Sequence, residues 1–235
     1  MFDASAEFYD AIYAHLKDYR EETTKIAGLI RAIDPQYRTV LDIACGTGEH
    51  ARLLTKVGFA VDGVDLEPEF VRIAQGKNPQ GHFVAADMRH FELTRRYDVV
   101  MCLFSSIGYV RTLDQVLATL RCFREHLSTG GAVIVEPWFA PGVLDQTRVD
   151  RTSCEVDGVR ITRTSRIELE PGLSRLLFDY EMIDATGTRQ MREVHELGLF
   201  TQEELMEAFR AAGLEATYDP VGLMNRGLYV ARACE

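Results

Sequence analysis

The chain has 235 residues, is 46 % hydrophobic and carries a formal net charge of -10 at pH 7. That is room for one good-sized α/β domain with a small appended unit, and the acidic balance argues against a protein built to grip a nucleic-acid backbone or an anionic membrane, since both call for a concentrated basic face. Cys45, Cys102, Cys122, Cys154 and Cys234 are odd in number, widely spaced and without a CxxC pair, the N-terminus lacks a basic and apolar leader, and no run nears the ~20 apolar residues of a membrane span, so the expectation is a soluble, unexported, cytoplasmic protein with neither disulfide framework nor metal site.

A first helix is expected over 21–33, where Ile26, Leu29, Ile30 and Ile33 recur at helical spacing until Asp34-Pro35 stops it. Short apolar runs at 39–43, 60–64, 82–85, 97–103 and 132–135 then alternate with helical patterns. The clearest of these helices is 113–127, with Gly130-Gly131 beyond its end. Strand, helix, strand in this rhythm implies an α/β fold with a doubly wound, mostly parallel, Rossmann-like sheet. After Glu136 the rhythm changes to three strand-like runs, VDGVRITRTSRIELE, LSRLLFDYEMID and TRQMREVHELGLF, separated by turn residues, which read as a small antiparallel insert. Thr201 and Glu204 form a capping-box pattern opening a helix that Gly213 ends. Pieces at 215–221 and 227–233 would close the main sheet as a hairpin. The domain reading is therefore 1–136 with 201–235 as the main unit and 137–200 as the insert, serving acceptor binding or dimerisation.

The stretch VLDIACGTGEH at 40–50 places Gly46 and Gly48 between a strand and a helix, at the carboxyl edge where open α/β sheets take their ligands. A lone GxGxxA match is weak evidence for a dinucleotide. Two carboxylates decide otherwise. Asp42, inside the preceding strand, would repel a pyrophosphate and suits a cation; Asp65, ending VDGVDL, can accept from both hydroxyls of a ribose. A nucleoside with a positively charged tail and no phosphate satisfies both, and S-adenosylmethionine is such a molecule. Tyr9 and Tyr19, in the polar N-terminal segment, are candidates to cover it. Cys45 beside the turn reads as a small apolar filler.

VLDIACGTGEH, VDGVDL, AADMRHF and YDVVMCLF resemble, in order and spacing, the motifs of class I S-adenosylmethionine-dependent methyltransferases. That resemblance implies that Asp87 and Met88 bracket the adenine, that Leu103 lines its far side, and that Ala44 and Gly46 offer backbone to the methionine part. FSSIGYV at 104–110, VEPWFAP at 135–141, LKDY at 16–19 and GLMNRGLYV ending at 230 narrow it: the chain is similar to the N,N-dimethyltransferases that finish dimethylamino sugars on a thymidine diphosphate carrier. Arg163, Arg175 and His195 fall at matching places in the insert, and Ser105, Tyr109, Glu136 and Trp138 on the substrate side. Phe2 stands where the family has a tyrosine, Phe139 where it has a second tryptophan, and Asn225-Arg226-Gly227-Leu228 where it has SGRGL. A homodimer is also implied.

Methyl transfer to an amine needs a neutral nitrogen held in line with the carbon–sulfur bond, so positioning matters more than a strong base. No residue is expected to be obligatory; Glu136, Tyr109 or His195 are the candidates to help deprotonation, with loss of the proton to solvent equally open. A diphosphate needs donors, and eight arginines lie between 148 and 192. The same region holds about as many acids, so cross-strand pairs on a solvated face are the competing reading, and Arg226, flanked by glycines, is the favoured phosphate ligand. Two alternatives stay open: a methyltransferase for another small acceptor, and a non-catalytic module that binds the nucleoside.

Overall fold

The structure is a computed structural model that describes residues 8–14 and 17–234. Its main sheet has seven strands, β1 (Thr39–Ile43), β2 (Ala60–Asp65), β3 (Phe83–Ala85), β4 (Tyr97–Cys102), β5 (Leu127–Val135), β10 (Leu214–Asp219) and β11 (Leu228–Ala233), in the order β10-β11-β5-β4-β1-β2-β3. The first five are parallel and β11 runs antiparallel between β5 and β10, so the expected closing hairpin is present.

Buried strands read as unbroken apolar runs because both faces are covered, and here alternate residues feed two cores. Val40, Val99, Met101, Ala132 and Ile134 pack with Ile26 and Ile30 of α2 (Tyr19–Ile33) and Leu54 of α3 (Glu49–Lys56). Leu41, Val100, Cys102, Val133 and Val135 pack on the other side with Leu120 and Phe123 of α5 (Leu113–Glu125) and Phe209 of α6 (Gln202–Ala211). The Thr201–Glu204 capping box opens α6 as expected. On the β2 side, α4 (Pro68–Lys77) leads into β3.

Two boundaries differ from the sequence reading. Helix α5 ends at Glu125, and Gly130-Gly131 lie inside β5, where a Cβ on Gly131 would come within 2.9 Å of the Asp98 carbonyl oxygen. The glycine there allows close backbone approach at a register shift between β4 and β5. The insert has four strands rather than three, β6 (Val149–Val156), β7 (Val159–Glu170), β8 (Leu173–Asp184) and β9 (Gly187–Gly198), paired in sequence. The missed break is Asp157-Gly158, both with positive φ (50° and 79°), the two-residue hairpin that an Asp-Gly pair favours.

Side chains directly opposite on antiparallel strands share a face. Register pairs Arg163 with Tyr180, Ile161 with Met182 and Leu176 with His195, and this inner face packs on the short helix α1 (Tyr9–Ala14) through Tyr9, Ile12 and Tyr13. Among the described residues no helix is long and apolar enough to cross a membrane.

Candidate functional site

After β1 the backbone turns through Ala44, Gly46 and Gly48, with φ of 54°, 54° and 74°. A Cβ on Gly48 would sit 2.8 Å from both Ala74 Cβ and Asn78 Nδ2, so glycine is required on steric as well as conformational grounds. At Gly46 the same construction meets open space, on the side of a cavity lined by Tyr9, Lys17, Tyr19, Asp42, Ala44, Gly46 and Leu103.

Asp42 is 3 % exposed and its Oδ2 has no hydrogen-bond partner. Burial, and then the charge of Asp65, push its pKa up to about 8 against the pull of Lys17. A buried carboxylate in that condition calls for a cation. Asp65 has a task that the sequence reading missed: Oδ2 accepts from Gly46 N–H (2.7 Å) and Oδ1 from Glu67 N–H (2.9 Å), so it clamps the glycine turn. Burial raises its pKa while those backbone donors restrain the rise. Asp87 and Met88 follow β3 on the far side of Asp65, whose carbonyl accepts from Ala86 N–H (2.8 Å). The Asp87 carboxylate is held by Arg89, which lowers its pKa, and Met88 packs against the core.

Helix α1 covers the cavity. Thr47 Oγ1 and Lys77 Nζ both reach the Asp10 carboxylate, tying the helix to the glycine turn. Tyr9 packs on Tyr13 and edge-on to Phe70, with ring centroids 4.3 and 4.9 Å away, and Tyr19 stands edge-on to His50 at 5.0 Å. Both tyrosines line the cavity. Cys45 is buried and its thiol is pushed well up by that burial, consistent with a filler. Phe2 and Leu16 lie outside the described residues.

Beyond Leu103 the chain takes two consecutive left-handed residues, Phe104 (φ 52°) and Ser105 (φ 62°), which redirect it from the cofactor cavity into a second group of polar side chains. Phe104 N–H donates to Glu136 Oε2 (2.7 Å), Ser105 Oγ donates to the Pro137 carbonyl (2.7 Å), and Arg226 Nη1 donates to Ser105 Oγ (2.9 Å). Glu136 is 1 % exposed with Oε1 unpartnered; burial raises its pKa, and Arg226 is the largest influence against that rise. The Arg226 guanidinium lies 5.2, 5.9 and 5.6 Å from the ring centroids of Phe104, Trp138 and Phe139. Trp138 Nε1 donates to Ser174 Oγ (2.8 Å), fastening the end of β5 to the insert.

Tyr109, ending a 3₁₀ turn over Ser106–Tyr109, places Oη 3.1 Å from His195 Nδ1. His195 Nε2 lies 3.5 Å from Glu193 Oε2, which accepts from Tyr180 Oη at 3.1 Å. Glu193 and Tyr180 were not singled out by sequence; their spacing from His195 across β8 and β9 is the signal that would have found them. Burial raises the Tyr109 phenol well above its ordinary pKa.

The structure separates the two insert arginines. Arg163 faces inward, 7 % exposed, over the rings of Tyr13 (5.2 Å) and Phe178 (4.6 Å), with Nε and Nη1 lacking hydrogen-bond partners. Arg175 faces outward in an ion-pair network with Glu170, Glu196 and Arg111. A third group was given no role by the sequence reading, although Lys17 lies in LKDY and His50 ends VLDIACGTGEH: Glu22 Oε2 lies 2.9 Å from both Lys17 Nζ and His50 Nε2, at the rim of the cavity.

A methyltransferase-domain family model matches residues 40–131. The dTDP-3-amino-3,4,6-trideoxy-alpha-D-glucopyranose N,N-dimethyltransferase of Streptomyces venezuelae is 36 % identical over 96 % of this chain and 96 % of its own. The dTDP-3-amino-3,6-dideoxy-alpha-D-glucopyranose N,N-dimethyltransferase of Streptomyces fradiae is 36 % identical over 95 % of this chain and 89 % of its own. The solved structure of SAM-bound CalS10, an amino pentose methyltransferase from Micromonospora echinaspora, superposes with a TM-score of 0.85 at 33 % identity, covering 95 % of each chain. The orphaned Asp42 oxygen and the open space at Gly46 fit S-adenosylmethionine, and Asp42, Ala44 and Gly46 line the cavity, whereas Asp65 stands behind the glycine turn with both carboxylate oxygens engaged by main chain. With the likeness carried along nearly the whole chain, insert included, the chain belongs to the S-adenosylmethionine-dependent methyltransferases and, within them, to the family of the dTDP-amino-sugar N,N-dimethyltransferases.

Proposed function

We propose that the chain methylates, twice in succession, the 3-amino group of a dTDP-linked 3-amino deoxyhexose, in the cytoplasm and as a homodimer. The observation that carries this reading is that two relatives named for 3-amino sugars are each 36 % identical over nearly the whole chain, insert and C-terminal hairpin included, against 33 % for one named for a 4-amino sugar. S-adenosylmethionine supplies a methyl group already activated by its sulfonium. The chain's part is to hold the sugar nitrogen against it. Trp138 and Phe139 offer apolar faces for the deoxysugar, Arg226, anchored on Ser105 Oγ, donates to its oxygens, and Arg163, with Nε and Nη1 unpartnered, is an inward-facing donor for the diphosphate. The proton on the amine leaves before attack, to solvent or through Tyr109 to His195, with Glu136 the nearer carboxylate to the turn at Phe104. Residues 137–200 form the acceptor-binding and dimerisation unit in this reading; exposed Val149, Ile183 and Val194 support the second role.

Mass spectrometry of dTDP-3-amino-3,6-dideoxyglucose incubated with the protein and S-adenosylmethionine tests the reaction. Gain of one and then two methyl groups is expected, with the 4-amino isomer turned over poorly. Unchanged 3-amino sugar, with the cofactor shown to bind, overturns the proposal, as does preference for the 4-amino isomer. Light scattering at twice the chain mass tests the dimer.

A further inference from the structure

A lysine buried in a protein interior is costly unless its charge has a use. Lys17 is 8 % exposed, just ahead of the Asp18 that caps α2, and lines the cofactor cavity. Its ammonium lies 2.9 Å from Glu22 Oε2 and faces the rings of Phe104 and Tyr19 at 3.9 and 4.5 Å. An ammonium has three donors, and Glu22 engages one. Glu22 is itself shared with His50, so it holds the lysine without saturating it.

Among the described residues lining that cavity Lys17 is the one lysine or arginine. Its charge is felt across the cavity at Asp42, whose Oδ2 is unpartnered. One wall therefore presents an idle carboxylate oxygen and another an incompletely engaged cation. The methionine end of the cofactor carries the complementary pair, an α-ammonium and an α-carboxylate on one carbon. A carboxylate taken out of water is held most strongly by a charged donor, and main chain at Ala44 and Gly46 supplies none. We propose that Lys17 binds the α-carboxylate of S-adenosylmethionine, and that Glu22 and His50 are positioning residues that aim its ammonium into the cavity. This rests on the cofactor, not on which sugar is the acceptor. The competing role is purely structural, with Lys17 serving as counter-ion to Glu22 where the chain enters α2.

Calorimetric titration with S-adenosylhomocysteine and with its decarboxylated analogue, which keeps the amine, separates the two. The wild-type protein is expected to bind the analogue about 10-fold or more weakly, the worth of a charge-assisted hydrogen bond. In Lys17→Gln, S-adenosylhomocysteine should lose a similar factor while the analogue is bound as well as before or better, so that discrimination collapses; Lys17→Arg should keep most of it. Equal weakening of both ligands by Lys17→Gln would mark a structural role and overturn the proposal, as would a wild-type protein indifferent to the carboxylate. Should Lys17→Gln fail to fold, the ¹⁵Nζ resonance of Lys17 in the wild-type protein decides. It moves with S-adenosylhomocysteine and not with the analogue if the proposal holds, and responds alike to both if it does not.

Discussion

At the cofactor edge the chain works mainly with backbone. Ala44, Gly46 and Gly48 all have positive φ within five residues, and the Asp65 carboxylate locks them by accepting from Gly46 N–H. On the acceptor side it works with side chains, drawing Ser105, Glu136, His195 and Arg226 from four separate stretches and joining them by hydrogen bonds and ring faces. A backbone site tolerates few substitutions in its turn but depends little on its neighbours' identity. A side-chain site changes specificity one residue at a time without losing the fold.

The comparison predicts where substitutions should hurt. The largest effect is expected from Gly48→Ala: strain at φ 74° and contacts of 2.8 Å should cost about 3 kcal/mol in thermal or urea unfolding, with cofactor binding lost alongside. A neutral outcome would mean that the turn adapts. Asp42→Asn should leave stability near wild type and weaken cofactor binding about 10- to 100-fold. It should also erase a pH effect. Asp42 has its pKa pushed up to about 8, and a cationic ligand favours its ionised form, so binding at pH 7 releases a proton. Affinity should therefore rise as pH climbs towards about 8 and level off above it, measured by calorimetry in buffers of different ionisation heat; a wild-type protein that releases no proton would refute the assignment. Arg226→Gln should raise KM for the nucleotide sugar about 10-fold while the cofactor Kd stays put. Equal effects on both ligands would dissolve the division between the two sides. The smallest effect is expected from Arg175→Gln, which removes exposed ion pairs with Glu170 and Glu196 worth well under about 1 kcal/mol and should leave KM unchanged. A raised KM would place the residue back in the acceptor site that the family resemblance suggested.

What the sequence revealed follows the same division. The glycine turn, the strand ending in Asp65 and the capping box at Thr201 are short-range patterns, each complete within a few residues, and each is present in the structure. Strand β6 was missed because the first run of the insert was begun at Val156, with Asp157-Gly158 taken as the opening of that strand, although such a pair between alternating residues is a strong hairpin signal. The faces of Arg163 and Arg175 were legible in principle: the Pro171-Gly172 turn pairs Glu168 with Arg175, and Glu168 lies an odd number of residues from Arg163 on one strand. Lys17, Glu22 and His50 carry no such pattern. Their meeting depends on how the chain enters α2 and where α3 packs beside it, which no local rule supplies.

Arg226 among its aromatic rings has a bearing on the amine that the proposed reaction consumes. Lys17 already reports the local field: burial lowers its pKa, and Arg226 adds to that effect while Glu22 and Glu136 oppose it. A sugar ammonium carried to the same border between the two sides would meet the same desolvation and the same guanidinium. Its acid–base equilibrium would shift towards the free amine simply through residence there. In the proposed reaction, desolvation and the Arg226 charge would then favour the free amine against the opposing charge of Glu136, so that part of a proton acceptor's work would fall to the surroundings.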